Sequence, residues 1–252
     1  MDNQATRAVD VIVSLLMLLA VWQLIVWVTG VPSFILPGPL AVATALVDNF
    51  GLILEHASAT AIEVLLGMVI GTTLGAATAL YLMWSPTARK LTMLALVLSQ
   101  TIPVFALAPI LTLWLGYGLA SKIAMTILII YFPVTSTFLD GLQNTPKGYL
   151  DLAHCMQANR MNALFRVRVP AALPSLASGL KLAAVYAPIG AVIGEWVGAS
   201  QGLGYLMLLA NGRVKIDLMF AALVALCVFT LLLRVAIGYL SAWLNEWAGA
   251  GR

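Results

Sequence analysis

One pentapeptide in the sequence has the spacing of a serine nucleophile turn. Residues 198–202 read Gly-Ala-Ser-Gln-Gly, which matches the pattern G-x-S-x-G. Such a serine needs a general base within hydrogen-bond reach of its hydroxyl, and the sequence offers two histidines, His56 and His154. The topology predicted below places His154 across a membrane from Ser200, and it places His56 in a surface segment with no expected contact to the serine. We therefore favour a glycine-rich turn, with an intramembrane serine hydrolase as the less favoured alternative.

No other motif predicts a reaction in this chain. The sequence contains no G-x-x-x-x-G-K-[ST] phosphate loop, no H-E-x-x-H pair, no paired cysteine ligands for a metal and no G-x-G-x-x-G. We expect no cofactor and no metal in this chain. Cys155 and Cys227 are predicted at different membrane depths, which argues against a disulfide.

The composition predicts an all-helical membrane protein. Hydrophobic residues make up 62% of the chain and charged residues 9%, against roughly 45–50% and 25% in soluble domains. A helix needs about 20 apolar residues to cross a bilayer, and the sequence contains several apolar runs of this length. The runs lack the period-two alternation of a barrel. The first run has no cleavage site after it, so we expect it to be retained. The six predicted spans are 11–29, 61–84, 91–115, 121–140, 175–195 and 217–244.

The distribution of basic residues predicts the orientation. With both termini in the cytoplasm, cytoplasmic connections hold most of the lysines and arginines, whereas the opposite side holds only Lys122, Arg213 and Lys215. The longest polar interval, 145–174, is then cytoplasmic, and we call it the polar segment. The basic residues lie beside helix ends and form no stripe, so a nucleic-acid partner is not expected.

Polar groups within the predicted spans are candidates for a transport path, because ionisable groups are costly at membrane depth. Prolines would bend the spans that carry some of these groups. An interhelical or headgroup pair is the alternative for the ionisable ones. Glu63 and Lys181 lie close enough to helix ends to reach the membrane surface, so we assign them no path role. The candidates for path or gate are Gln100, Thr101, Glu195, Trp196 and Arg234.

Two further patterns concern packing. Glycines recur every four residues in span two, at Gly67, Gly71 and Gly75, and in span five from Gly190 to Gly198, which predicts faces where helices approach closely. Apolar residues at helical spacing over 42–55 predict a short amphipathic helix, either lying on the outer membrane surface or packed on the spans.

The polar segment has the pattern of two short helices. Thr145 and Pro146 predict a helix start, with the hydroxyl capping free amides and proline in the first helical position. Leu152, Ala153 and Met156 would share one apolar face, and a turn near 157–160 would lead to a second helix carrying Leu164 and Val167. Two such helices are suited to insertion into a groove on a partner protein.

This segment resembles the coupling loop of binding-protein-dependent ABC importers, whose pattern is E-A-A, three residues, Gly, nine residues and I-x-L-P. Asp151-Leu152-Ala153 stands at E-A-A, Gln157 at the glycine, and Val167-Arg168-Val169-Pro170 at I-x-L-P. The likeness runs from Leu36 to span six. Within the family, 171–174 and 179–181 look like the sulfonate, nitrate and taurine branch, and 188–205 with 100–109 look most like permeases for hydroxymethylpyrimidine, a thiamine precursor.

The resemblance implies one type I permease domain over 1–252, with about six transmembrane helices in a bacterial inner membrane. It implies a homodimer with an alternating-access path, an ATPase that holds ATP and magnesium, and a periplasmic or lipid-anchored substrate-binding protein. The implied substrate is hydroxymethylpyrimidine or a related thiamine precursor, with sulfonate, taurine or nitrate as alternatives and an ion-coupled carrier as a more distant one. The residues implied in coupling to the ATPase are Asp151, Leu152, Ala153, Met156, Gln157, Leu164, Val167 and Pro170.

Three of these residues depart from the family pattern. Asp151 is shorter than glutamate, Leu152 is larger than alanine, and Gln157 replaces the residue best suited to a left-handed turn. We expect the fit to the ATPase to be specific to this transporter at these positions.

Overall fold

The protein is a bundle of helices in a computed structural model that describes residues 2–248, with side chains described for residues 9, 10 and 13–248. No strand occurs among these residues, which confirms the all-helical prediction. A π-helical turn, Leu164–Arg168, lies between the helices Arg160–Ala163 and Val169–Gly198. The helices are α1 (Asp2–Thr29), α2 (Pro39–Asp48), α3 (Phe50–Trp84), α4 (Pro86–Ser99), α5 (Val104–Leu115), α6 (Leu119–Gln143), α7 (Lys147–Cys155), α8 (Arg160–Ala163), α9 (Val169–Gly198), α10 (Leu203–Gly212) and α11 (Ile216–Trp247).

Four helical segments are long and apolar enough to cross a membrane: α3, α6, the continuous stretch Arg160–Gly198, and α11. The pair α4 and α5 makes a fifth crossing if the two are counted together. The first predicted span falls on α1, whose described apolar part runs from Val13 to Thr29.

The third predicted span is not the single helix that the run 91–115 suggested. It is broken into α4 and α5, which are bent by 98° relative to each other. Pro103 stands directly before α5, and a proline disfavours helical geometry in the residue before it. The chain therefore leaves α4 at Ser99 and begins a new helix at Val104.

The predicted amphipathic helix over 42–55 is also two elements. Its first half is α2, and its second half forms the first turns of α3, with a break at Asn49 where φ is −111°. Val42 and Ile53 are both buried and pack with Leu218 of α11. The apolar face thus packs on the spans, which is the second of the two alternatives.

Helix α6 lies between α3 and α9, and glycines permit both close approaches. A Cβ at Gly71 would lie 2.8 Å from a side-chain atom of Ile130, and one at Gly190 would lie 2.7 Å from the backbone of Thr126. The predicted glycine packing faces are confirmed. Around this contact a core that includes Val64, Val134 and Ala187 joins α3, α6 and α9.

Candidate functional site

The polar segment begins differently from the expectation. Helix α7 starts at Lys147, its N-cap residue is Pro146, and no side chain caps it. The Thr145 hydroxyl instead donates a hydrogen bond to the carbonyl of Leu142 at 3.1 Å. The prediction that Thr145 caps the helix and that Pro146 is its first residue is therefore wrong, because the hydroxyl satisfies a free carbonyl at the end of α6.

Gln157 turns the chain after α7 in a left-handed conformation, with φ of +56°. The amide of Gln157 donates to the carbonyl of His154, and the amide of Ala158 donates to that of Ala153, both at 2.9 Å. This is the bonding pattern of a Schellman motif, which usually places glycine at the left-handed position. The loop thus makes a left-handed turn with glutamine at the position where the pattern it resembles has glycine.

The apolar residues of the polar segment divide between two sides. Leu152 and Met156 are 59% and 74% exposed, whereas Ala153 and Leu164 are each 6% exposed. Asp151 and Gln157 are exposed, and Val167 and Pro170 are half-buried. The expectation that Leu152, Ala153 and Met156 form one outward face is therefore corrected, since Ala153 points back into the protein.

The second part of the polar segment continues directly into α9. Pro170 lacks an amide hydrogen, and its ring would meet the carbonyl four residues earlier in a regular helix. The wider π-helical turn, Leu164–Arg168, directly precedes this point and relieves that contact.

Two arginines tie the polar segment to the ends of other helices. Arg160 donates a hydrogen bond to the carbonyl of Trp84 at the end of α3, and its guanidinium lies 5.0 Å from the centre of the Trp84 ring. Arg168 donates to the carbonyl of Leu142, near the end of α6, at 2.8 Å. Free carbonyls at helix C-termini favour such cationic donors. These contacts link the polar segment to the ends of α3 and α6.

A buried polar cluster lies at the opposite end of the bundle. One carboxylate oxygen of Glu195 accepts from the Thr60 hydroxyl at 2.6 Å, and the other accepts from the Gly204 amide at 2.5 Å. The Thr60 oxygen also accepts from the Leu203 amide at 2.8 Å. Glu195 is therefore an interhelical hydrogen-bond partner, and its assignment to a path or gate stays a prediction.

Glu63 belongs to the same end of the bundle. Its carboxylate lies 3.0 Å from the Lys122 ammonium, and both side chains are buried. The expectation that Glu63 reaches the membrane surface is wrong, because a buried cation on α6 faces it. Burying two paired charges is tolerated only with close contact of this kind.

The remaining path candidates do not join this cluster. Gln100 and Thr101 are exposed at the break between α4 and α5, and their side chains donate only to Ser99 and Leu98 respectively. Trp196 and Arg234 are also exposed. Their assignment to a path or gate stays a prediction.

The serine pattern does not form a catalytic pair. Ser200 is exposed, and within the described residues its hydroxyl has no hydrogen bond to a histidine. His56 is buried, contrary to the expectation of a surface position, and its Nδ1 accepts from the Gly202 amide at 3.1 Å. The histidine thus holds the backbone of the turn and leaves the serine free.

The sequence reasoning missed His56, Thr60 and Lys122 as members of the cluster. A signal for the first two was present, since His56, Thr60 and Glu63 recur at i, i+4 and i+7 and so share one face of an apolar helix. Lys122 carried no such signal, because its partner lies 59 residues away in sequence.

The chain is similar to known proteins over most of its length. A family model described as "Binding-protein-dependent transport system inner membrane component" matches residues 67–246. A probable ABC transporter permease of Haemophilus influenzae is 49% identical, over 88% of this chain and 91% of the relative. The formylaminopyrimidine transport permease protein ThiX of Halalkalibacterium halodurans is 37% identical over 81% of each chain. The riboflavin transport system permease protein RibX of Chloroflexus aurantiacus is 36% identical, over 93% of this chain and 88% of the relative.

The chain therefore belongs to the family of binding-protein-dependent inner-membrane permeases of ABC transporters. A chain of the MetNI methionine ABC transporter, in inward-facing conformations, matches with a TM-score of 0.60 at 22% identity, over 79% of this chain and 96% of that one. The fold is that of a type I importer permease. The protein is a transporter subunit and not an enzyme, which removes the hydrolase alternative.

Proposed function

We propose that this permease imports a small nitrogen-containing aromatic ring, in particular hydroxymethylpyrimidine or a related thiamine precursor. The observation that carries the proposal is that the ThiX relative, 37% identical, is named for the pyrimidine it transports. The RibX relative is named for riboflavin, another ring of this kind, whereas the taurine permease TauC of Escherichia coli is 25% identical. At the end of the bundle opposite the polar segment, the buried Lys122 is paired with Glu63, so this lysine offers no free charge to an anionic substrate.

The substrate proposal is tested by competition. The chain is reconstituted in proteoliposomes with its ATPase and binding protein, and uptake of labelled hydroxymethylpyrimidine is measured with unlabelled competitors. We expect formylaminopyrimidine to compete and taurine, nitrate and an aliphatic sulfonate to leave uptake unchanged. Competition by the anions alone would assign the chain to the sulfonate branch.

The proposed energy source is a separate ATPase that binds ATP and magnesium and docks on the polar segment. Support comes from the exposed side chains of Leu152 and Met156, which form an apolar knob that fits a hydrophobic groove. Ala153 and Leu164 would support this knob from beneath, since they face inward. The bonds from Arg160 to Trp84 and from Arg168 to Leu142 would carry ATP-driven movement to α3 and α6.

Docking is tested by copurification of the ATPase with tagged permease. We expect the Leu152→Asp, Met156→Asp double variant to lose the ATPase, because a charge in an apolar groove is costly. Met156→Leu preserves the apolar contact and should keep the ATPase bound. Equal recovery of the ATPase with the double variant and the wild type would contradict docking at this surface.

The proposed assembly contains two copies of this chain in the bacterial inner membrane, with a substrate-binding protein at the periplasmic face. Support for a second copy comes from α4, which has no buried residue and exposes Leu91, Leu94 and Leu98. The mass of the purified complex by light scattering tests the stoichiometry. Two permease chains per pair of ATPases are expected, and one permease chain would overturn the homodimer.

A further inference from the structure

A cavity of about 300 Å³ lies beneath the polar segment, and the function proposed above assigns no ligand to it. Its walls are the end of α3, the inner side of α7, and the stretch from Ala158 through the π-helical turn. The residues that matter for its chemistry are Trp84, His154, Arg160 and Arg168.

The charge in this cavity is one-sided. Among the residues that line it are two arginines and one histidine, and none is a carboxylate. Within the described part of the chain, the only ion pair joins Lys122 to Glu63 at the far end of the bundle. No acidic side chain of the described residues therefore neutralises Arg160 or Arg168.

The acceptors that the two arginines do have are main-chain carbonyls. Arg160 bonds the carbonyl of Trp84, and Arg168 bonds that of Leu142. A guanidinium carries five N–H donors in a planar fork, so each arginine keeps further donors after this contact. Helix-end carbonyls supply only part of a negative charge, which leaves the cavity with a positive charge and unused donors.

We propose that this cavity binds a phosphate group, carried either by an anionic lipid headgroup or by a soluble phosphorylated compound. Arginine forks match the geometry of phosphate oxygens, and charge-assisted bonds of this kind are stronger than neutral ones. Arg160 and His154 are exposed at the rim, so an anion can enter from the water. The site lies beside the ends of α3 and α6, which the predicted topology places at the cytoplasmic surface of the membrane, within reach of lipid headgroups.

A phosphate in this position would brace the polar segment against the bundle. His154 belongs to α7, Arg160 to α8 and Arg168 to the π-helical turn, and the cavity also contacts Trp84 at the end of α3. A ligand shared by these elements would restrict the movement of α7 relative to α3. If the ATPase acts on the polar segment as proposed above, occupancy would restrict the movement by which it drives the permease.

The test uses purified full-length permease, delipidated in detergent. Binding of phosphatidylglycerol is measured by native mass spectrometry with phosphatidylcholine as the neutral reference, and binding of inorganic phosphate and pyrophosphate is measured by thermal shift against chloride at equal ionic strength. We expect at least one of the two sources to bind. Arg160→Gln should weaken that binding roughly tenfold, because it removes a charge-assisted contact.

The matched control is Arg166→Gln, which removes the same charge from the same segment but does not line this cavity. It should bind as the wild type does. If Arg160→Gln fails to fold, His154→Gln is used in its place. Because His154 is exposed, this substitution should weaken binding without unfolding α7.

The two measurements, lipid binding and thermal shift, distinguish the two sources of the phosphate group. Binding of phosphatidylglycerol without a shift by phosphate or pyrophosphate assigns the site to lipid, and a thermal shift by the soluble anions assigns it to a soluble compound. Absence of binding in both arms overturns the proposal. Equal losses in Arg166→Gln and the cavity variants also overturn it, since the attraction would then come from general surface charge.

Discussion

Gln157 pays a conformational cost that glycine would avoid. Its φ of +56° lies in the left-handed region, which costs a residue with a Cβ about 1–2 kcal/mol. We expect Gln157→Gly to stabilise the turn by about 1 kcal/mol. Hydrogen exchange of the amides over 147–160 should then slow roughly fivefold.

The control for this variant is Gln143→Gly at the end of α6, where the backbone is helical. Glycine in a helix costs about 1 kcal/mol relative to alanine, so exchange near that residue should become faster. Faster exchange over 147–160 in Gln157→Gly would contradict the left-handed turn.

Gly202 packs directly against the Glu195 carboxylate of the buried polar cluster. Its φ is +113°, and a Cβ there would lie 2.2 Å from the Glu195 carboxyl carbon. We expect Gly202→Ala to lower the free energy of unfolding by about 3 kcal/mol or more, from backbone strain and overpacking together. Gly116→Ala isolates the strain, because Gly116 has a similar backbone with φ of +83° and nothing within 4 Å of a Cβ.

Thermal unfolding of the purified protein measures both variants. Gly116→Ala should cost about 1–3 kcal/mol from strain alone, and Gly202→Ala should cost distinctly more. Equal costs in the two variants would show that Glu195 does not fill the space beside Gly202.

At the scale of elements, α9 packs closely against α6 at Gly190. Gly190→Ala should force the two helices apart, because its Cβ would lie 2.7 Å from a backbone atom of Thr126, and a cost of about 1–3 kcal/mol is expected. Gly51→Ala, in α3 with nothing within 4 Å of a Cβ, should instead be neutral or stabilising by up to about 1 kcal/mol. Thermal unfolding checks the pair, and a harmless Gly190→Ala would contradict the close packing.

Long apolar runs were sufficient to predict the long helices α3, α6, α9 and α11, and glycine spacing was sufficient to predict the faces on which α3 and α9 pack against α6. A bend at the prolines of the third span was expected, but its division into two helices at 98° was not, because hydropathy over 91–115 is continuous across Pro103 and only the backbone restriction interrupts it. The inward orientation of Ala153 was also not predicted. Because Ala153 directly follows Leu152 in a short helix, the sequence allows it to face either the solvent or the protein. The ion pair between Lys122 and Glu63 depends on the packing of α3 against α6, which spacing within one helix does not reveal.

At the scale of the whole molecule, the predicted orientation places the polar segment in the cytoplasm. Cys155 is exposed within it, so in a Cys227→Ser background a membrane-impermeant maleimide should label inverted vesicles and leave right-side-out vesicles unlabelled. The variant Ser200→Cys, with both native cysteines replaced by serine, should show the opposite result, because residue 200 lies at the other end of the bundle. Labelling of Cys155 in right-side-out vesicles would reverse the topology.

The central claim is that an ATPase drives substrate through this permease by acting on the polar segment. The most direct measurement is ATP-dependent uptake of labelled hydroxymethylpyrimidine into proteoliposomes that contain the permease, its ATPase and its binding protein. We predict that uptake requires all three proteins and falls to background in the Leu152→Asp, Met156→Asp variant, while Met156→Leu transports normally. Uptake that continues without the ATPase, or that is unchanged in the double variant, would contradict the claim.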